Sequence, residues 1–158
     1  MVTVTEQEIW VALHDVADPE IPTINVVDLG IIRRVVLGDR IRVEMMPTFV
    51  GCPALDLMRR EIAARLREFG EIEVRVVLDE PWTTERITPD GRSMLRQAGL
   101  APPPRGDIRL TPVPAEPVVC PYCGSTQTQL ENLFGPTPCR SIYYCRACQQ
   151  PFEGFKIV

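Results

Sequence analysis

Residues 120–148, CPYCGSTQTQLENLFGPTPCRSIYYCRAC, hold two C-x-x-C pairs, Cys120/Cys123 and Cys145/Cys148, with 21 residues between them. One such pair is compatible with redox chemistry or with chance. Two let a single tetrahedral ion collect four thiolates from facing knuckles, so residues 120–158 are expected to form a small β-rich zinc ribbon with one structural ion. That segment is short and poor in large aliphatic side chains, so the ion must supply much of its stability. Spacing alone does not choose zinc over iron, since four cysteines hold either.

Working towards the N-terminus, Pro102, Pro103, Pro104, Pro112, Pro114 and Pro117 punctuate residues 101–119. This composition reads as a semi-rigid linker that extends by roughly 3 Å per residue, free to hold the ribbon away from the preceding chain or to wrap back along it. Residues 1–100 contain enough Ile, Val, Leu and Met for a core of their own, since a domain of that length buries roughly two thirds of its unfolded surface. The expected organisation is a 1–100 domain, a 101–119 linker and a 120–158 ribbon.

Within the first hundred residues, Thr5 and Glu8 form a T-x-x-E capping box ahead of Ile9, Leu13 and Val16, which predicts a helix of about three turns. It should end before DPEIP, where Pro19 and Pro22 remove donors. Segments 31–37 and 40–45 flank Gly38-Asp39, a two-residue hairpin connection with glycine at the position that favours positive φ. Ile41, Val43 and Met45 alternate with Arg40, Arg42 and Glu44, the pattern of a sheet covered on one face.

Pro53 is suited to the first position of a helix carrying Leu55, Met58, Ile62 and Leu66 on one side, with Asp56/Arg60 and Glu61/Arg65 as surface pairs. Ile72, Val74, Val76 and Leu78 alternate as a third strand, and Thr88-Pro89-Asp90 opens a last short helix. The order α-β-β-α-β-α predicts an α+β domain, a small mixed sheet packed by helices, without βαβ repetition.

No apolar run approaches the roughly 20 residues of a membrane span, and the N-terminus lacks a signal-peptide pattern, so the expected location is the cytoplasm, with no membrane partner. A reducing compartment also favours metal over disulfides at the C-x-x-C pairs. The chain carries a net charge of −4. In the ribbon, Arg140, Arg146 and Lys156 face Glu131 and Glu153, a net of +1 that four thiolates around a divalent ion bring to about −1. Nothing there offers a footprint for phosphate backbones, and nucleic acid is not an expected partner.

Cys52, the one cysteine outside the C-terminal region, stands in TFVGCPA where a loop meets the strongest helix. The helix dipole there favours a thiolate, although a small residue packed at a helix start is an equal reading. Cys139 lies near the ribbon but outside both knuckles, and a filled tetrahedral site has no vacancy for it. It reads as a packing thiol, a labile ligand or an exchange position. Asp28 in VVDLG caps a bend or faces a shared site, and His14, Trp10 and Trp82 read as structural.

Taken in order, DPEIP, VVDLGII, PTFVGCPALD and EPWTTERIT resemble the small-domain family of iron-sulfur assembly factors over most of residues 5–100. With APPP, CPYCG, LFGPTPCRS, YYCRAC and PFEGFK following, the whole chain is similar to the accessory-protein family of the phenylacetyl-CoA epoxidase system in phenylacetate degradation.

The resemblance implies a non-catalytic role in iron-sulfur cluster assembly or maturation, with the epoxidase components as partners and the iron-sulfur reductase as recipient. It implies that Cys52 is the functional thiol of the first domain, with Asp28 and Thr48 as neighbours in matching motifs; Cys139, by its place beside the ribbon, is a second candidate thiol. Any iron or iron-sulfur cluster would be held only transiently. The competing readings are a structural subunit of the epoxidase and a rubredoxin-like electron carrier. A sheet edge or the apolar Phe49-Val50 loop could make a homo-oligomer.

Overall fold

In the computed structural model, which describes residues 4–105 and 116–156, helix α1 (Glu6–Leu13) begins with the capping box that its sequence encodes. Thr5 Oγ1 accepts from the Glu8 backbone N–H at 3.3 Å, and Glu8 Oε2 accepts from the Thr5 N–H at 2.8 Å. The helix buries Ile9, Ala12 and Leu13. It runs 8 residues rather than the three turns expected, because Val16 reaches the core from the turn that follows, not from the helix.

The next loop is organised by Asp18, whose Oδ1 accepts from the N–H groups of Glu20 (2.8 Å) and Ile21 (2.9 Å). Asn25 then closes a second turn, its Oδ1 accepting from Val27 and Asp28 N–H while its Nδ2 donates to Asp28 Oδ2 at 2.6 Å. The chain leaves this turn through Gly30, at a φ of 74°. Only glycine takes that conformation without steric cost, which is what the VVDLG bend requires.

Strands β1 (Ile32–Val36) and β2 (Ile41–Met45) are antiparallel, and β3 (Ile72–Val76) lies parallel to β2, giving a mixed sheet in the order β1-β2-β3. The β1–β2 connection spans 37–40, longer than the two-residue turn expected, and Gly38 does not use positive φ. Helix α2 (Leu55–Leu66) makes the crossover from β2 to β3 and buries Met58, Ile62 and Leu66. Pro53 lies in the turn ahead of the helix and not at its first position, with Ala54 as N-cap.

Two expected surface pairs are also redrawn: Asp56 pairs with Arg59, and Arg65 pairs with Asp15 and Glu68. The i, i+4 spacing permits a pair but does not outrank an i, i+3 neighbour, as for Asp56–Arg59 and Arg65–Glu68, or a carboxylate that tertiary folding brings near, as for Asp15.

The helix-covered face of the sheet carries Val43 and Met45, both fully buried. The opposite face is a charge ladder: Arg34 forks onto Glu44 at 2.7 and 2.8 Å, and Glu73 accepts from Arg42 (3.1 Å) and Arg75 (2.7 Å). Glu44, expected on a wet face, is only 6% exposed, because the arginine lies over it.

By contact, the chain divides into compact units 1–82 and 83–158, whereas the sequence expectation divided it by composition. In the second unit, Thr88 caps helix α3 (Pro89–Gln97) and Leu100–Ala101 form strand β4. Strands β5 (Thr128–Asn132), β6 (Arg140–Cys145) and β7 (Gln150–Phe155) follow. They make an antiparallel ribbon to which β4 adds in parallel, in the order β4-β7-β6-β5. Tyr143 stacks on Phe152 with ring centroids 5.5 Å apart, in a core shared with Ala101, Val118, Cys120 and Cys145. Residues 106–115 of the expected linker lie outside the described residues.

Candidate metal centre and thiol loop

Each half of the four-cysteine cluster is a tight turn. In the first, Cys120 C=O accepts from Gly124 N–H at 3.0 Å and Cys120 N–H donates to Ser125 C=O at 2.9 Å. The second is the β6–β7 hairpin itself, since Cys145 pairs with Gln150 across the ladder. In both, the residue after the second cysteine is left-handed, Gly124 at φ 74° and Gln149 at φ 58°. The two knuckles thus share one backbone geometry with different residues at the turning point.

The turns bring four sulfurs together. All four Sγ atoms lie within 4.8 Å of one another, with Cys120–Cys148 at 3.8 Å and Cys123–Cys145 at 3.6 Å. A tetrahedron of sulfurs about 2.3 Å from a central ion has edges of about 3.8 Å, so the cluster fits a four-thiolate site. All six cysteines are thiols.

Electrostatics point the same way. The Cys145 thiol is lowered to about 7, chiefly by the backbone N–H of Cys148 and despite its burial. Burial first, and the neighbouring sulfurs after it, push Cys148 up to about 12. Four thiols this close cannot all ionise unless a cation shares the space.

Cys139 does not join the cluster. It precedes β6 at the end away from Cys145, about 20 Å along the strand at roughly 3.3 Å per residue. There its sulfur lies 3.2 Å from Thr137 Oγ1 and its carbonyl accepts from Lys156 N–H at 2.8 Å.

Cys52 is half-buried in the turn ahead of α2, its N–H donating to Phe49 C=O at 3.0 Å. Thr48, four residues earlier, is also half-buried, and Asp28 is 7% exposed. Two long-range hydrogen bonds assemble the surroundings. Ile31 C=O accepts from Met46 N–H at 2.8 Å, so the segment that follows the Asp28 turn and the one that leads to the Thr48–Cys52 loop meet at the same end of the sheet. Trp82 Nε1 donates to Leu29 C=O at 3.1 Å, tying the segment after β3 to the same turn.

The loop tip is apolar and open: Val50 is 73% exposed, and the Phe49 ring folds over Gly51, where a Cβ would stand 3.0 Å from Phe49 Cε1. Sequence reasoning missed the organising roles of Asp18 and Trp82. The Asp-Pro-Glu run was a readable signal for an Asx-type turn, whereas nothing local marks Trp82 as the donor to Leu29.

These features define the class: an iron-sulfur-assembly type α+β domain followed by a cysteine-rich β ribbon. Residues 6–78 match the family described as iron-sulfur cluster assembly protein, and residues 107–156 match the PaaD zinc beta ribbon domain. The chain is 40% identical over 154 residues to an Escherichia coli K12 protein named as one of the subunits of 1,2-phenylacetyl-CoA epoxidase, covering 96% of this chain and 92% of that one. The chain belongs to the PaaD family.

Two further likenesses concern the first domain. The Bacillus subtilis 168 protein named Fe-S protein maturation auxiliary factor YitW is 28% identical over 88 residues, covering 52% of this chain and 85% of its own length. A crystal structure of a DUF59 domain from Bacillus anthracis superposes with a TM-score of 0.53 at 28% identity, covering 57% of this chain and 90% of that one. Among the described residues, no helix is long and apolar enough to cross a membrane.

Proposed function

We propose that this chain is a non-catalytic, cytoplasmic accessory protein that assembles or delivers an iron-sulfur cluster for the phenylacetyl-CoA epoxidase system, with the iron-sulfur reductase as recipient. The observation that carries this reading is the setting of Cys52. It is the single thiol of the first unit, in a half-buried turn two residues ahead of the α2 N-cap, and the Met46–Ile31 hydrogen bond supports the reading because the segments carrying Cys52 and Asp28 leave the sheet at the same end. Partial exposure lets iron or a cluster reach it as transient cargo. Thr48 and Asp28 are the neighbouring polar groups we assign to the same site.

The four-cysteine cluster holds a structural zinc in this reading, with Cys120, Cys123, Cys145 and Cys148 as ligands, and the ribbon it stabilises docks the client. When bound, the ion neutralises thiolates and ties the two knuckles together. Metal analysis and absorption after anaerobic purification separate this from an electron carrier. One zinc and no colour fits the docking role, whereas iron with thiolate charge-transfer bands overturns it.

Cys52→Ala in cells tests the central claim. Epoxidase activity and cluster occupancy of the reductase should both fall, while Cys139→Ala should spare them. Unchanged occupancy in Cys52→Ala sinks the role of that thiol. A permanent structural component of the epoxidase is the second reading, favoured by the name of the Escherichia coli relative, which counts that protein among the enzyme's subunits. Purified complex of fixed stoichiometry would support it, whereas loss of this chain from mature enzyme would support the assembly role.

A further inference from the structure

Strand β3 is an edge: among the described residues it pairs only with β2. Its apolar side chains Ile72, Val74 and Val76 stay half-exposed, although Val43 and Met45 beside them on β2 are fully buried. A groove of about 550 Å³ runs along this edge, lined by Ile72 and Val74 and by Asp56, Arg59, Arg60 and Ala63 of α2. An edge with an uncovered apolar row is a template for another strand.

The sequence of β3, Ile72-Glu73-Val74-Arg75-Val76, specifies which strand fits. Turned about a two-fold axis through Val74 and laid antiparallel on itself, it sets Glu73 against Arg75 of the second copy, Arg75 against Glu73, Ile72 against Val76, and Val74 against Val74. The complementarity extends across the sheet. Register places Arg34 beside Glu44 and Glu44 beside Arg75, and in the adjacent row Arg42 beside Glu73.

Across the two-fold, one row therefore reads Arg34, Glu44, Arg75, then Glu73 and Arg42 of the second copy, alternating in sign at every step. On the helix-covered face, Val35, Val43 and Val74 meet their own copies in reverse order. Opposite charges and β-branched pairs directly across strands are the stabilising combinations in antiparallel sheets.

We propose that β3 is a homodimerisation edge, two copies of this chain joining β3 to β3 in an isologous, antiparallel pair that makes one continuous six-stranded sheet. Arg42 remains on Glu73, while Arg75, now 2.7 Å from the Glu73 carboxylate of its own strand, turns across the two-fold to the same group of the partner copy.

Sedimentation velocity on the full, metal-loaded chain tests this with Arg75→Glu and Glu73→Arg. The native chain should sediment at twice 17.8 kDa. Each variant alone opposes like charges in both symmetry-related pairs and should weaken the dimer by about tenfold or more. Mixed in equal amounts, the two variants set glutamates against arginines and should re-form a heterodimer.

Exchange of the amides of 72–76 should slow with concentration in the native chain and not in Arg75→Glu, a readout that stands even if Glu73→Arg, which also loses Arg42, does not fold. A native chain that remains monomeric into the submillimolar range, a dimer that neither variant loosens, or a mixture of two folded variants that fails to associate would each overturn the proposal.

Discussion

The ring of Tyr143 lies over Gly154 of the neighbouring strand, so close that a Cβ on Gly154 would stand 2.6 Å from Tyr143 Cε2. The glycine has room for the ring only because it lacks a side chain, and the ring in turn stacks on Phe152, two residues before it. Gly154→Ala should therefore cost about 1–3 kcal/mol, the range for overpacking a filled site. Thermal unfolding of the metal-loaded protein checks it. The loss should shrink when Tyr143→Ala is added, because the two changes relieve one clash.

Metal removal should unfold the ribbon while leaving the first unit intact. Structural zinc contributes about 10–16 kcal/mol in small zinc-finger peptides, far more than the six-residue ribbon core supplies. Chelation, or Cys145→Ser, should abolish the near-ultraviolet signal of Tyr143 and Tyr144, while amide protection of Val43 and Ile62 persists. Loss of protection in both places would show that the first unit depends on the ion.

Glu44 gives a pH dependence with a definite sign. Arg34's hydrogen bonds hold its carboxyl below the ordinary 4.5, outweighing burial. A group whose folded value is depressed contributes stability that is present above its unfolded value and lost as pH falls through the folded one. Arg34 is 62% exposed, so Arg34→Met should cost only about 1 kcal/mol at neutral pH. The difference between native and variant in urea unfolding should fade as pH falls below 4.5.

Trp82→Phe keeps the ring and removes the indole N–H, leaving the Leu29 carbonyl without that donor inside the protein. An unmet buried acceptor costs about 1–3 kcal/mol. Urea unfolding measures the loss, and faster amide exchange at Gly30 and Ile31 should locate it in the turn that carries Asp28. If the turn is unaffected, the Trp82–Leu29 bond does not hold the thiol loop's neighbour in place.

Short-range chemistry is legible in the chain: the Thr5/Glu8 capping box, the α2 stripe of Met58, Ile62 and Leu66, the alternation of Ile41, Val43 and Met45, and the two C-x-x-C turns whose sulfurs meet. Propensity, capping and ligand spacing act within a few residues and leave a readable mark. Only the tertiary fold sets β3 parallel to β2, adds the two-residue β4 to β7 some fifty residues later, and ties Met46 to Ile31 and Trp82 to Leu29 around the Asp28 turn. Those are backbone or single-donor contacts between distant segments. Almost any residue can make a backbone bond, so its partner leaves no pattern in the chain.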